Sequence, residues 1–348
     1  MRYFFKFFTG IIVACAVLEI LFRLLPVSTA TKTGYFISPS IITYPPHHKF
    51  IMASGWNLRN IQHHVANNFG FLTRREFTME PMAIAVIGDS YVEANMLEED
   101  QRVSAQLEKH LDGRPVYAMG GPGSSLLDYT ERARFAQERF GIDTFVFVLE
   151  RGDVRQALCG SGNIHGPCLD PITFEPKSDS HRTEASLLKK IFRQSALMQY
   201  LFSQIRLKPE TLRNDLFQCK SNNTQNAVTI SKKQGPEDIS TLAVDKVFSA
   251  FIARLQLKKK RAILVLDSDR VCQPKNEAEN FSARQHFMQL AQNYGFELID
   301  LKPIFCAYTS LTGLSLSVSP NDAHWNSLGH ELVAIAIANK IKTQTFKN

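Results

Sequence analysis

The sequence predicts an α/β domain built on a five-stranded parallel sheet, with helices on both faces. Five short, nearly uninterrupted apolar runs alternate with segments of helical periodicity, and runs of that kind are what strands buried on both faces require. The first two give way to Gly-Asp or a glycine-rich turn before the chain becomes helical, the punctuation of a βα unit. Composition agrees. With 348 residues, 44% hydrophobic and 21% charged, the chain is globular material with room for one large domain or two small ones.

Taken in order, the first element is an apolar helix. MRYFFKFFTGIIVACAVLEILFRLLPV carries one charge, Glu19, between Phe7 and Phe22, and Arg23 closes the run. Roughly 20 apolar residues span a bilayer core, so residues 1–27 read as a transmembrane anchor with Glu19 and Arg23 near the far interface. Arg2 and Lys6 favour an N-in orientation, which puts the rest of the chain outside the cytoplasm. A cleaved signal peptide, with Ser28-Thr29-Ala30 as its cleavage site, is the alternative. The expected arrangement is a single-pass membrane protein with the domain on the extracytoplasmic side. Residues 28–80, rich in Pro, His and Asn, read as an irregular juxtamembrane segment that packs on the domain.

The domain proper covers 81–345. AIAVIGD (83–89) is strand one, and 101–112 is helical, with Val103, Leu107 and Leu111 on one face. PVYAMG (115–120) is strand two, followed by a helix over 126–141 that Gly141 stops. DTFVFVLE (143–150), RAILVLD (261–267) and FELIDL (296–301) are strands three to five, with helices expected over 277–294 and 327–341. A helical insertion at about 155–258 separates strands three and four, with helices near 184–207 and 238–257 and a polar stretch at Ser221–Asn226. It reads either as a lid or docking surface, or as a plain crossover.

Six cysteines are too few for a disulfide-built scaffold. Cys15 lies in the anchor. Cys159 and Cys168 bracket CGSGNIHGPC and form one candidate disulfide; Cys272 and Cys306, each following a strand at the same sheet edge, form another. Cys219 is then odd. A net charge of +7 is too thin for nucleic acid, which wants a dense basic stripe. No cofactor is expected. The pairs His47-His48 and His63-His64 lack an acidic or cysteine partner at ligand spacing, so no metal site is expected either.

In open parallel sheets ligands sit beyond the carboxyl ends of the strands. Strand one ends in Gly88-Asp89-Ser90-Tyr91, strand two in Gly120-Gly121-Pro122-Gly123 and strand three in Glu150-Arg151-Gly152-Asp153. Asn321-Asp322-Ala323-His324-Trp325-Asn326 precedes the last helix. A serine, glycine-rich backbone and an Asp-x-His pair are the parts of nucleophilic acyl transfer. Serine needs a base, for which His324 is the candidate, with Asp322 to orient the ring. The N–H groups of Ser90 and Gly120 are candidate oxyanion donors. Asp89 is expected to fix the turn after strand one, and His330 to be structural. Tyr91 and Trp325 are candidates to line a substrate pocket, with core packing as the alternative.

IGDSYVEANML, the Gly-x-Pro-Gly turn and DAHWNSLGH resemble the SGNH (GDSL-type) hydrolase superfamily, in particular its membrane-anchored bacterial branch, and NNFGFLTRRE (67–76) resembles a segment that precedes the serine motif there. The resemblance covers about 65–153 and 261–341. It implies a flavodoxin-like three-layer sandwich and a serine esterase of O-acyl groups, often acetyl on sugars, with Ser90 as nucleophile, His324 as base, Asp322 as its partner and Gly120 in the oxyanion hole. An O-acyltransferase with the same triad is the alternative, and an acylated envelope glycan the expected partner.

One departure stands out. Where the family's third block offers an oxyanion-donating Asn, this chain has Gly152, and Ala118 stands where an Asn often precedes the block-two glycine. Losing one such donor costs about 10²–10³ in turnover. Three explanations follow: Arg151 or another residue replaces the donor, the enzyme is slow or takes an unusual acyl group, or the domain is a non-catalytic carbohydrate-binding or assembly module.

Overall fold

A computed structural model describes residues 2–38, 41–161, 166–178, 187–205, 207, 239–256, 260–268, 272, 278–320 and 322–345. Cys219, Asn321 and the Ser221–Asn226 stretch lie outside these. The chain forms two compact units, one of Met1–Lys32, Lys49–Val65 and Arg182–Lys233, the other of Thr33–His48, Ala66–His181 and Gln234–Asn348.

The second unit carries the predicted sheet. Its strands, numbered in order among the described residues, are β5 (Ile84–Gly88), β6 (Val116–Gly120), β7 (Thr144–Leu149), β10 (Arg261–Leu266) and β11 (Glu297–Asp300). All neighbours are parallel, in the order β11-β10-β7-β5-β6. Renumbered one to five this is 2-1-3-4-5, the flavodoxin-like order, whose direction reverses between the first and third strands.

Alternation along each strand supplies both faces of the sandwich. Ala85, Ile87, Phe145, Phe147 and Leu264 point to one side, against Leu126–Phe140, Thr241–Leu255 and Ala278–Tyr294, where Ala133, Phe251 and Phe287 are buried. Ile84, Val86, Val146, Val148 and Val265 point to the other, against Val103–His110, Leu301–Thr312 and Ser327–Thr345. A one-residue slip would exchange the two sets, so the helices fix the register.

The helix Leu301–Thr312 was not among the expected elements. Asp300 caps it by accepting from the Lys302 N–H at 2.9 Å, Leu301 and Phe305 are buried at i, i+4 spacing, and Gly313 closes it in the left-handed region. Pro303 falls in the first turn, where it disturbs no helical hydrogen bond, so the helical spacing was hidden behind a residue that usually argues for a loop. The segment 28–80 also departs from its irregular reading. It holds two antiparallel hairpins, β1 (Gly34–Ser38) with β2 (Ile41–Thr43) in the second unit and β3 (Lys49–Ser54) with β4 (Arg59–Val65) in the first. The remaining short pairs are β8 (Pro167–Leu169) with β9 (Pro176–Ser178) and β12 (Ser317–Ser319) with β13 (Asp322–Trp325).

Within the insertion, the helix expected over 184–207 is broken. Leu187–Phe192 and Ala196–Met198 are separate, with Ser195 capping the second, and a π-helical turn continues over Gln199–Gln204. Cys159 is bonded to Cys168, and Cys272 to Cys306. The helix Arg2–Leu24 has the length and composition to cross a membrane, and none of its residues is buried.

Candidate active site

Strand β5 delivers the serine. After Gly88, Asp89 caps a four-residue helix, Ser90–Glu93, by accepting from the Tyr91 N–H at 2.8 Å. This is the turn-fixing role expected of Asp89, and it leaves Ser90 as the first helical residue at the sheet edge. The Ser90 hydroxyl is 3.5 Å from Asp89 Oδ2 but 2.8 Å from His324 Nε2. His324 Nδ1 is 2.6 Å from Asp322 Oδ1, which also accepts from the His324 backbone N–H at 3.1 Å. With the Nδ1–H donating to Asp322, Nε2 is the acceptor for the Ser90 hydroxyl. Residues 234 apart in sequence thus stand in one hydrogen-bonded row.

The neighbours of His324 hold it there. Ala323 accepts from the Tyr91 hydroxyl at 3.1 Å, and the Trp325 indole N–H donates to Asp267, beyond β10, at 2.8 Å. Asn326 accepts from the Gly329 N–H at 3.0 Å at the start of the last helix, and buried His330 accepts from the Val103 N–H through Nδ1 at 3.1 Å. Burial, with Arg102 and His324 nearby, depresses the His330 pKa to about 3, so its neutral ring is a structural acceptor. Trp325 as a pocket-lining residue is corrected by this packing. It is fully buried, with Tyr91 at 5.1 Å and Phe305 at 6.1 Å, because the indole N–H needs Asp267 and the ring fills the core. Tyr91 is likewise buried, its ring 4.7 Å from that of His324.

Electrostatics favour a protonatable base. Burial works against the charged imidazole of His324, but the hydrogen bond and charge of Asp322, with Asp89 and Glu93 behind, outweigh it and raise the pKa above 6.5. Glu93, buried on the serine helix, accepts from the Tyr44 hydroxyl, and burial lifts its pKa to about 7 against the pull of Arg102, His324 and Arg132.

At the end of β6, glycine is required at position 120. A Cβ there would lie 2.3 Å from the Glu93 backbone N, so Gly120 lets the end of β6 close up on the serine helix. The NNFGFLTRRE segment is fastened to the same region. Asn67 accepts from the Phe69 and Phe71 N–H groups, Asn68 bridges to Phe77, and Arg102 reaches the Leu72 carbonyl at 2.8 Å. Gly70, with φ +81, turns where a Cβ would sit 1.9 Å from the Tyr44 carbonyl oxygen.

Gly152 follows β7, across the switch point from Ser90. Its N–H donates to Glu150 Oε2 at 2.6 Å, and a Cβ on it would lie 2.7 Å from both that oxygen and Gln156 Nε2. A side-chain amide therefore stands beside the position from which the family's Asn would project, but it comes from one helical turn later. Sequence reading passed over Gln156, and the spacing Gly152–Gln156 at i, i+4 was the available signal. Asp153 then fixes the turn, accepting from the Tyr129 hydroxyl and the Glu150 N–H, each at 2.8 Å. Among the described residues no group of three His, Cys, Asp or Glu side chains could hold a metal ion.

No family model matches the sequence, and no curated protein matches it. Solved structures do resemble it. An α/β hydrolase enzyme from the metagenome of Lake Arreo, Spain, is 15% identical with a TM-score of 0.41, over 75% of this chain and 94% of that one. A member of the lipolytic protein G-D-S-L family from Veillonella parvula is 11% identical with a TM-score of 0.39, over 74% and 97%. A catalytic mutant of an acetylxylan esterase from Geobacillus stearothermophilus is 12% identical with a TM-score of 0.41, over 76% and 95%. Likeness at these values assigns no residue and no substrate to this chain.

Proposed function

We propose that this protein is a serine esterase that works through an acyl-enzyme on Ser90. The observation that carries the reading is the continuous row Ser90 Oγ–His324 Nε2–Asp322, with contacts of 2.8 and 2.6 Å. His324 takes the Ser90 proton as Oγ adds to the ester carbonyl, and Asp322 holds the ring and offsets the imidazolium charge. The Ser90 and Gly120 N–H groups receive the developing oxyanion, and the Gln156 amide is the third donor in place of the missing Asn. His324 then gives its proton to the leaving alkoxide. Water, activated by the same histidine, releases the acid and restores Ser90.

The substrate class rests on the sequence resemblance and the N-terminal helix together. It is an O-acyl, in particular O-acetyl, ester on an envelope glycan, met by a chain anchored through Arg2–Leu24 with its domain outside the cytoplasm. If a sugar hydroxyl replaces water in the second half-reaction, the same residues perform acyl transfer, and product analysis with a glycan acceptor separates the two.

The test is fluorophosphonate labelling of the full chain in detergent beside Ser90→Ala. Labelling that disappears in the variant supports an activated serine. A folded wild-type protein that takes no label would turn the reading toward a binding module.

A further inference from the structure

The first unit contains a surface that the esterase reading does not use. Glu19 sits inside the apolar helix, about 25 Å along its axis from Arg2 at 1.5 Å per residue, within a hydrocarbon slab of about 30 Å. A carboxylate at that depth needs donors. It has them: the Ser195 hydroxyl at 2.7 Å, the Ala196 and Leu197 N–H groups at 3.1 and 3.0 Å, and Arg23 Nε at 2.8 Å. One turn further on, Phe22 stacks on Tyr200 at 4.2 Å, and the Tyr200 hydroxyl donates to the Trp56 carbonyl at 2.8 Å. Residues that serve Glu19 from outside the helix share its depth.

The same segment turns large apolar side chains outward. Leu187 is 79% exposed, Ile191 66%, Phe202 45% and Trp56 77%. Leu187 and Ile191 lie one helical turn apart on one face, and Phe202 meets Phe192 edge-on at 6.3 Å. Lys189 and Lys190 are exposed between them, the mixture that interfacial helices carry.

We infer that Leu187–Phe192, Ala196–Gln204 and the Trp56 turn form a foot that lies in the bilayer interface beside the anchor helix, its occupant being lipid. This rests on the anchored reading of Arg2–Leu24. The continuity of the foot with that helix, through Glu19 and Phe22, is what selects lipid over a protein partner. It also accounts for a charge in the apolar run: Glu19 is the acceptor that docks the foot, a bond that a cleaved leader would have no use for.

Two tryptophans make the inference measurable, because Trp325 is fully buried and only Trp56 is open to a quencher. The full chain is placed in nanodiscs of phosphatidylcholine and phosphatidylglycerol, with and without acyl chains brominated near the glycerol. The difference in emission between wild type and Trp56→Phe is the Trp56 component, and most of it is expected to be lost to the brominated lipid. Ile191→Trp in the Trp56→Phe background is expected to be quenched in the same way. An unquenched Trp56 in protein that resists alkaline carbonate extraction would overturn the foot while leaving the anchor standing, and a cross-linkable dimer in that case would give the surface to a second copy. Extraction by carbonate would overturn anchor and foot together. Fluorophosphonate labelling is indifferent to both, so failure of the esterase reading is seen separately.

Discussion

Replacing Asp322 by Asn is the most informative change at the site, because it keeps the shape of the side chain and removes its charge. The wild-type carboxylate accepts twice through Oδ1, from the His324 ring at 2.6 Å and from the His324 backbone at 3.1 Å. An asparagine whose amide nitrogen faces the ring would force Nδ1 to accept, put the proton on Nε2 and deprive Ser90 of its base. In a fully buried triad that change costs about 10⁴-fold in turnover. Here Asp322 is 37% exposed and His324 28%. A charge pair about 4 Å apart is worth about 4 kcal/mol at an effective dielectric near 20, and water at Asp322 takes part of that away. The expected loss is therefore about 10³-fold, mostly from the tautomer. The pH profile gives a second reading. The base must be neutral to act, and its raised pKa places the wild-type rise in kcat/KM above pH 6.5. Without the Asp322 hydrogen bond and charge, burial pulls the midpoint down. Ester hydrolysis or fluorophosphonate inactivation rates measured from pH 5 to 9 test both effects. A loss under tenfold with an unmoved midpoint would refute Asp322 as the orienting carboxylate.

Three further outcomes are expected. Gln156→Ala should lower kcat by about 10²–10³ with little change in melting temperature if its amide is the third oxyanion donor; a loss under threefold would assign that role elsewhere. Gly120→Ala pushes a methyl to 2.3 Å from the Glu93 backbone N and so displaces the helix that carries Ser90. Misplacement on the order of 1 Å costs about 10²-fold, and labelling rate compared with thermal stability will show whether the loss exceeds simple destabilisation. Melting followed from pH 6 to 8 should show stability falling. Asp89 and Glu93, with folded pKa values of about 7 through burial, keep their protons where the unfolded chain has lost its own. Each removes on the order of 1 kcal/mol per pH unit until the pH passes its folded value. His324, with its raised pKa, acts in the same direction, since the stability from its charged form fades as pH rises through that pKa. Stability rising over this window would mean that the two carboxyls are ionised in the fold.

The sheet and the residues of the Ser90–His324–Asp322 row were legible because both are written locally. Five apolar runs lie close to β5, β6, β7, β10 and β11, and Ser90, Asp322 and His324 sit in two short segments whose neighbours have visible jobs. Asn326 caps the last helix, and Trp325 and His330 fill the core. What escaped depends on contacts distant in sequence. Arg132 is one of several charges in the helix expected over 126–141, and only the fold shows it completely buried. Glu93 meets Tyr44, 49 residues earlier, only in the fold, where it is buried. Gln156 gains meaning only when the chain beyond Gly152 turns helical at once. Trp325 was open to a pocket reading because its partner Asp267 lies just beyond β10, 58 residues away.

Arg132 shows why buried charge accumulates beneath this site. Its guanidinium donates to the Gly88 carbonyl at 2.9 Å and to the Ser124 hydroxyl, which in turn donates to the Gly121 carbonyl at 2.7 Å. One fully buried cation therefore ties the end of β5, two residues before Ser90, to the glycine loop that follows Gly120. A cation taken out of water is costly unless charges of opposite sign surround it, and burial does lower the Arg132 pKa while Asp128, Asp89 and Glu93 work to raise it. Two of those acids belong to the serine turn: Asp89 caps the serine helix, and Glu93 lies on it. The geometry that aligns Ser90 with Gly120 and, as Asp89 and Glu93 lose their protons near pH 7, the charge that helps raise the His324 pKa come from one arrangement. Substitutions at Arg132 should for that reason alter pH profile and turnover together, whereas changes at His330, whose ring only accepts from Val103, should act through stability alone.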